Sequence, residues 1–147
     1  MLTIREAERA DLRELLELYT QLHDNNLPEM CGELISLWEG ILANKDYHIL
    51  LGLVGGQIVS TCTMMIIPNL THGQRPYALV ENVLTHREFR KRGYATQVLD
   101  AARDMARQER CYKIMLLTGS KEESTLKFYE SAGYNRTDKT GFIQWLD

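Results

Sequence analysis

The chain has 147 residues, 44% of them hydrophobic and 25% charged, with a formal net charge of −3. That length suits one domain over residues 1–147, burying about two-thirds of its unfolded surface without disulfide staples. The mildly acidic balance disfavours nucleic acid as a bulk partner, and no apolar run reaches the length of a membrane span.

Residues 2–6, LTIRE, read as a short strand. Ala10-Asp11 opens a helix in which Leu12, Leu15, Leu16, Tyr19 and Leu22 share one apolar face. Asp24-Asn25-Asn26 with Pro28 stops it, and a second helix carries Leu34, Leu37, Trp38 and Ile41. YHILLGLV (47–54) and QIVSTCTMMII (57–67) are strands, and Gly55-Gly56 between them marks a two-residue hairpin. PNLTHGQRP (68–76) is a loop, and YALVENVLTH (77–86) a third long strand with a single charge, Glu81. Ala95, Val98, Leu99, Ala102, Met105 and Ala106 make 93–109 a helix, and YKIMLLTG (112–119) is a buried strand. Ser120 and Glu123 have the spacing of a capping box, and the helix they open ends at Gly133. Tyr134-Asn135 and GFIQWL (141–146) supply two closing strand signals.

Strand 77–86, helix 93–109 and strand 112–119 form a β-α-β crossover, so those two strands run parallel. The hairpin is antiparallel. The expected fold is therefore α/β with a mixed sheet of about six or seven strands and helices on its faces.

Cys31, Cys62 and Cys111 are far apart and odd in number, which reads as free thiols in a reducing compartment. Each also serves as a small apolar residue. The N-terminus turns polar at once, unlike a signal peptide, so the expected location is the cytoplasm. No His/Cys/Asp/Glu set has metal-ligand spacing.

Between strand and helix stands RKRGYA (90–95). Residues 86–92 carry a local charge of +3, opposite in sign to the whole chain. A helix N-terminus offers unpaired amides and partial positive charge, and a glycine lets the backbone approach a ligand. Together these suit a phosphate-like anion. A solvated charge cluster is the plain alternative. The nucleotide-hydrolase P-loop and the dinucleotide fingerprint are both absent.

The pattern R-x-x-G-x-A at Arg90, Gly93 and Ala95 resembles the acyl-CoA pyrophosphate loop of the GNAT acetyltransferases. LKFYESAGY (126–134) is similar to that family's late helix signature, and YALVENVLTH precedes the loop at the matching distance. The resemblance implies a sheet splayed in its middle between strands 77–86 and 112–119, flanked by four helices, with acetyl-CoA as co-substrate and no metal. It implies that the amides of Arg90, Lys91, Arg92, Gly93, Tyr94 and Ala95 hold a pyrophosphate. Val83 and Leu84 would present backbone groups to the pantetheine arm, with an oxyanion donor near Val83, and Thr125 and Phe128 would also lie against the cofactor.

An amine must lose a proton to attack a thioester, and the departing thiolate must gain one. Glu81 is the candidate base, expected to be strengthened by burial, or else a residue that positions substrate. Tyr129 matches the family tyrosine near the thiolate, as acid or as core aromatic. His86 and His72 read as loop residues with minor catalytic options; His23 and His48 read as structural. VENVLTH, CYKIMLL and LKFYESAGY also look similar to segments of glucosamine-6-phosphate N-acetyltransferases, although Asn82 stands where an aspartate is usual. The expected acceptor is a small amine or amino-sugar phosphate, with peptide N-termini, protein lysines and aminoglycosides left open as alternatives. A non-catalytic acyl-CoA sensor is the alternative in a different class. The family also makes a homodimer plausible.

Overall fold

A computed structural model describes residues 1–23 and 25–147. Asp24, read as part of a helix stop, lies outside the described residues. Five strands run β1 (Thr3–Glu6), β2 (Tyr47–Val54), β3 (Gln57–Ile67), β4 (Tyr77–Thr85) and β5 (Ile114–Leu116), paired in that order. Neighbours are antiparallel except β4 and β5, which are parallel as the crossover requires. The helices are α1 (Leu12–Tyr19), α2 (Gly32–Ala43), α3 (Tyr94–Gln108) and α4 (Glu123–Ser131).

Side-chain alternation along the strands divides the core in two. Leu50, Cys62, Met64, Ile66, Ala78 and Val80 point to one face and pack on Val98, Leu99, Ala102 and Ala106 of α3. Ile49, Leu51, Leu53 and Ile58 point to the other and meet Leu12, Leu15 and Leu18 of α1 and Trp38 of α2. Each buried leucine stabilises the fold by about 1.5–3 kcal/mol relative to exposure. Trp38 Nε1 donates to the carbonyl of Arg9 at 3.1 Å, tying α2 to the turn that precedes α1. The α2 stripe differs from expectation by one position: Ile35 is packed, whereas Leu37 is 61% exposed.

The Gly55-Gly56 turn has positive φ at both residues, as its hairpin demands. At the end of α4, Tyr134 N bonds Tyr129 O and Gly133 N bonds Glu130 O, both at 3.0 Å, the paired closure of a Schellman cap. The capping box does not form. Ser120 Oγ accepts from Glu122 N at 3.2 Å, so its bond closes a local turn and α4 starts only at Glu123.

Among the described residues the sheet has five strands rather than six or seven. Of 112–119 only Ile114–Leu116 pair, and residues 134–135 and 141–146 add no strand. A ladder needs a partner edge, and β5 offers only three residues. The tail passes close beside its end, where a Cβ added to Gly141 would come within 2.6 Å of Leu117 Cδ2. Phe142, Ile143, Trp145 and Leu146 are left exposed.

Arg5 binds Asp11 through two bonds, NH1 to Oδ2 at 2.7 Å and NH2 to Oδ1 at 3.0 Å, and Glu8 N also donates to Asp11 Oδ2. The guanidinium holds the Asp11 carboxyl below its ordinary pKa of 3.8. Stability from this pair is therefore complete above 3.8 and is lost as pH falls through the lower folded value. Asp11→Asn should cost about 1 kcal/mol at neutral pH, a modest figure because Arg5 remains partly in water. Urea unfolding should show that difference shrinking in acid; a constant difference would mean that the ion pair contributes nothing.

Candidate active site

The two parallel strands part early. β4 and β5 pair only through Ala78–Val80 and Ile114–Leu116, and β4 runs on to Thr85 without β5 beside it. The slot opens where β4 itself changes course. Thr63 of β3 faces Glu81, but Thr61 faces Leu84, so the single residue Cys62 spans both Asn82 and Val83. This is a β-bulge, and Asn82 takes it up in the left-handed region with φ 52°. Asparagine tolerates that conformation better than other non-glycine residues. The extra residue reverses the alternation: Val83 packs on the α3 cluster with Ala78 and Val80, and Leu84 joins the α1 cluster.

Glu81 lies just before the bulge on the α1 side. It is exposed, which corrects the expectation of a buried carboxylate. A charged group at a slot mouth keeps its hydration, whereas burial would need a partner. Across from it, Thr63 is 3% exposed and its Oγ1 has no hydrogen-bond partner among the described residues. Tyr19 of α1 is also largely buried, and burial raises its phenol pKa. Tyr19 and Asn82 line a cleft of about 230 Å³ with Leu16, Leu22, Asn25, Asn26 and Pro28. Sequence reasoning missed both as site residues. The available signal was an asparagine interrupting a run of strand formers.

The cation run forms the turn into α3. Lys91 has φ 62° and Gly93 φ 80°, with Arg92 outside the left-handed region, an alternation that turns successive amides toward one side. Gly93 is the N-cap of α3 and no side chain caps the helix there. Its carbonyl takes the first helical bond, from Gln97 N at 3.1 Å. The amides of Tyr94, Ala95 and Thr96 thus begin the helix without partners inside it; Thr96 is an addition to the predicted set. A Cβ at Gly93 would meet nothing within 4 Å, so glycine serves the backbone conformation and not a steric need.

Two of the guanidinium heads are themselves anchored to loop carbonyls while remaining exposed. Arg90 Nε donates to Thr85 O at 3.1 Å, and Arg92 NH2 donates to Glu88 O at 3.3 Å with Cζ 5.2 Å from the Phe89 ring. Arg90, Lys91 and Arg92 are all exposed. His86 Nδ1 accepts from Glu88 N at 3.1 Å, a turn-forming role that fits its loop reading. His72 stacks on Tyr112 with centroids 3.9 Å apart, away from the slot in the fold, at the other end of β4.

From α4, Phe128 and Tyr129 pack against the same cluster as Val83, bringing the helix signature to the slot wall. Their rings meet edge-on at 5.0 Å, and Tyr129 meets Tyr134 at 6.4 Å. Burial raises the Tyr129 pKa above its ordinary 10.0, so the phenol keeps its proton at neutral pH. Burial pushes Tyr134 up to about 12, and its hydroxyl has no partner among the described residues. Thr125 is half-buried in the first turn of α4. The site thus combines an uncapped cationic helix start, a splayed strand edge, a carboxylate and a protonated phenol.

The sequence profile of the Acetyltransferase (GNAT) family matches residues 9–134. The chain belongs to the GNAT acetyltransferase family. A solved acetyltransferase candidate from Agrobacterium tumefaciens str. C58 is similar to it at 38% identity and TM-score 0.91, over 97% of this chain and 99% of that one. The glucosamine 6-phosphate N-acetyltransferase of Trypanosoma brucei brucei is 28% identical over 144 residues, 94% of this chain and 92% of the relative. The crystal structure of glucosamine-6-phosphate N-acetyltransferase from Arabidopsis thaliana shares the fold, with TM-score 0.85 and 22% identity over 100% of this chain and 99% of that one. This GNAT chain is accordingly an N-acetyltransferase. Among its described residues no helix is long and apolar enough to cross a membrane.

Proposed function

We propose that this GNAT domain, acting as a single unit over residues 1–147, moves an acetyl group from acetyl-CoA to the primary amine of a small acceptor. The observation that carries the cofactor assignment is the turn into α3, where two left-handed residues, unpartnered helix amides and a ring of arginine and lysine coincide. The amides of Arg90, Lys91, Arg92, Gly93, Tyr94 and Ala95 bind the pyrophosphate. The free edge of β4 at Val83 and Leu84 takes the peptide-like arm as an added strand would. Phe128 and Thr125 line the far wall.

Acetyl-CoA supplies an acyl group activated as a thioester. Glu81 takes the amine proton, directly or through water, as the nitrogen bonds to the acyl carbon. Tyr129 donates its phenolic proton to sulfur as the carbon–sulfur bond breaks. A backbone amide at the bulge near Val83 stabilises the charge on the acyl oxygen. Neither step asks for a metal or a cysteine nucleophile. Three unpaired cysteines suit a cytoplasmic location. The exposed apolar tail beside the short edge strand β5 supports a homodimer, because a second copy would cover it.

Calorimetric titration with acetyl-CoA, followed by thiol release against a panel of amines, tests the reading. Binding followed by thiol release with an amine is expected. Binding with no release for any amine would favour a sensor, and no binding would reduce RKRGYA to a charged turn.

A further inference from the structure

The acceptor side of the molecule has the opposite charge from the cofactor side. Residues 14–44, covering α1 beyond Arg13, the connection and α2, contain no lysine or arginine. They contain Glu14, Glu17, Asp24, Glu29, Glu33 and Glu39, a net charge of −6 with histidine neutral. The cleft between this segment and β4 is lined by carboxamides, one phenol and apolar side chains; among the described residues no cation lines it. Arg87 is tied to the end of α1 by its amide, which donates to Gln21 Oε1 at 2.9 Å, but its guanidinium is not part of the lining. Arg9 and Arg13 pair with Glu39 and Glu17 and offset two of those charges, so the segment remains negative with its partners included. The exposed carboxylate of Glu81 stands next to Asn82 at the strand side of the cleft.

We infer that the acceptor is an amine carrying a further positive charge and no phosphate. The inference rests on the acetyl-transfer reading and narrows its acceptor. A phosphate ester desolvated in this cleft would find amide donors from Asn25, Asn26 and Asn82 but no counter-charge, beside a segment of net negative charge. Like-charge juxtaposition costs several kcal/mol, and it works against capture before it works against affinity. A second ammonium group meets the reverse situation: Glu81 and the acidic segment attract it, and neutral carbonyl and phenol oxygens accept its hydrogen bonds. The cleft volume of about 230 Å³ suits a small molecule. The chain would then hold its two substrates at oppositely charged ends, an anionic nucleotide at α3 and a cationic amine at α1. This selectivity departs from the acceptor in the name of the trypanosome relative.

The test is calorimetry on the full chain saturated with CoA, using spermidine, glucosamine and glucosamine 6-phosphate as probes. Spermidine should bind tighter than glucosamine 6-phosphate by about tenfold or more, and its affinity should fall as salt rises. Converting Asn25 and Asn26 to lysine, both on an exposed connection, should reverse that order. Glucosamine 6-phosphate binding more tightly than glucosamine, or no binding by any probe, would overturn the inference. Thiol release measured in parallel with acetyl-CoA separates the two readings. Spermidine binding with no release by any probe would count against acetyl transfer and leave the charge preference standing. Release with glucosamine 6-phosphate alone would do the opposite.

Discussion

Tyr129→Phe should lower kcat by about a hundredfold or more while leaving acetyl-CoA affinity nearly unchanged. The substitution keeps the ring that packs beside Phe128 and on the Val83 cluster, and removes only the hydroxyl. A loss in kcat with constant cofactor affinity is the mark of an interaction made during the chemical step. Because burial raises the Tyr129 pKa above 10.0, the donor form persists through the neutral range. Activity in the native protein should therefore not decline through this group until pH passes that value. Tyr134→Phe is the matched control: its hydroxyl is buried with no partner among the described residues, so kcat should hold. Full activity in Tyr129→Phe would leave this residue as a core aromatic alone.

The paired reversal Arg90→Glu with Arg92→Glu should weaken acetyl-CoA binding by about a hundredfold or more, through lost charge-assisted contacts and new repulsion. Both side chains are exposed, so the fold should tolerate the change, and thermal unfolding without ligand should move little. The native protein should also lose cofactor affinity as salt rises, with a smaller salt response in the variant. Unchanged affinity would show that the loop charges are only solvated.

The parts of this molecule that could be read from its sequence are those whose reason is local. The α3 stripe, the Gly55-Gly56 hairpin and the Gly133 closure each follow from a few neighbouring residues and reappear as expected. So does the α3 N-terminus, because glycine, helix start and cations are contiguous. What could not be read depends on distant partners. GFIQWL has a strand's composition, but whether it pairs is decided by the length of β5, some thirty positions earlier in the chain. Ser120 has capping spacing, yet its hydroxyl satisfies a nearer amide. The exposure of Glu81 and the polar floor at Tyr19 follow from how α1 and β3 approach β4, which no periodicity within β4 reveals.

The bulge at Asn82 has a consequence for how this protein can be altered. Substitutions along β4 change one side chain at a time, whereas removing residue 82 would make Val83 follow Glu81 directly and restore simple alternation. Val83 would stay on the α3 face and Leu84 on the α1 face, with Leu84 still opposite Thr61, so only the bulge would go. The strand would straighten where it now bends, at the point where β4 runs on without β5. Chain length at this one position is therefore a handle on the slot and not on the core, and a one-residue deletion here alters the slot while both clusters keep their side chains.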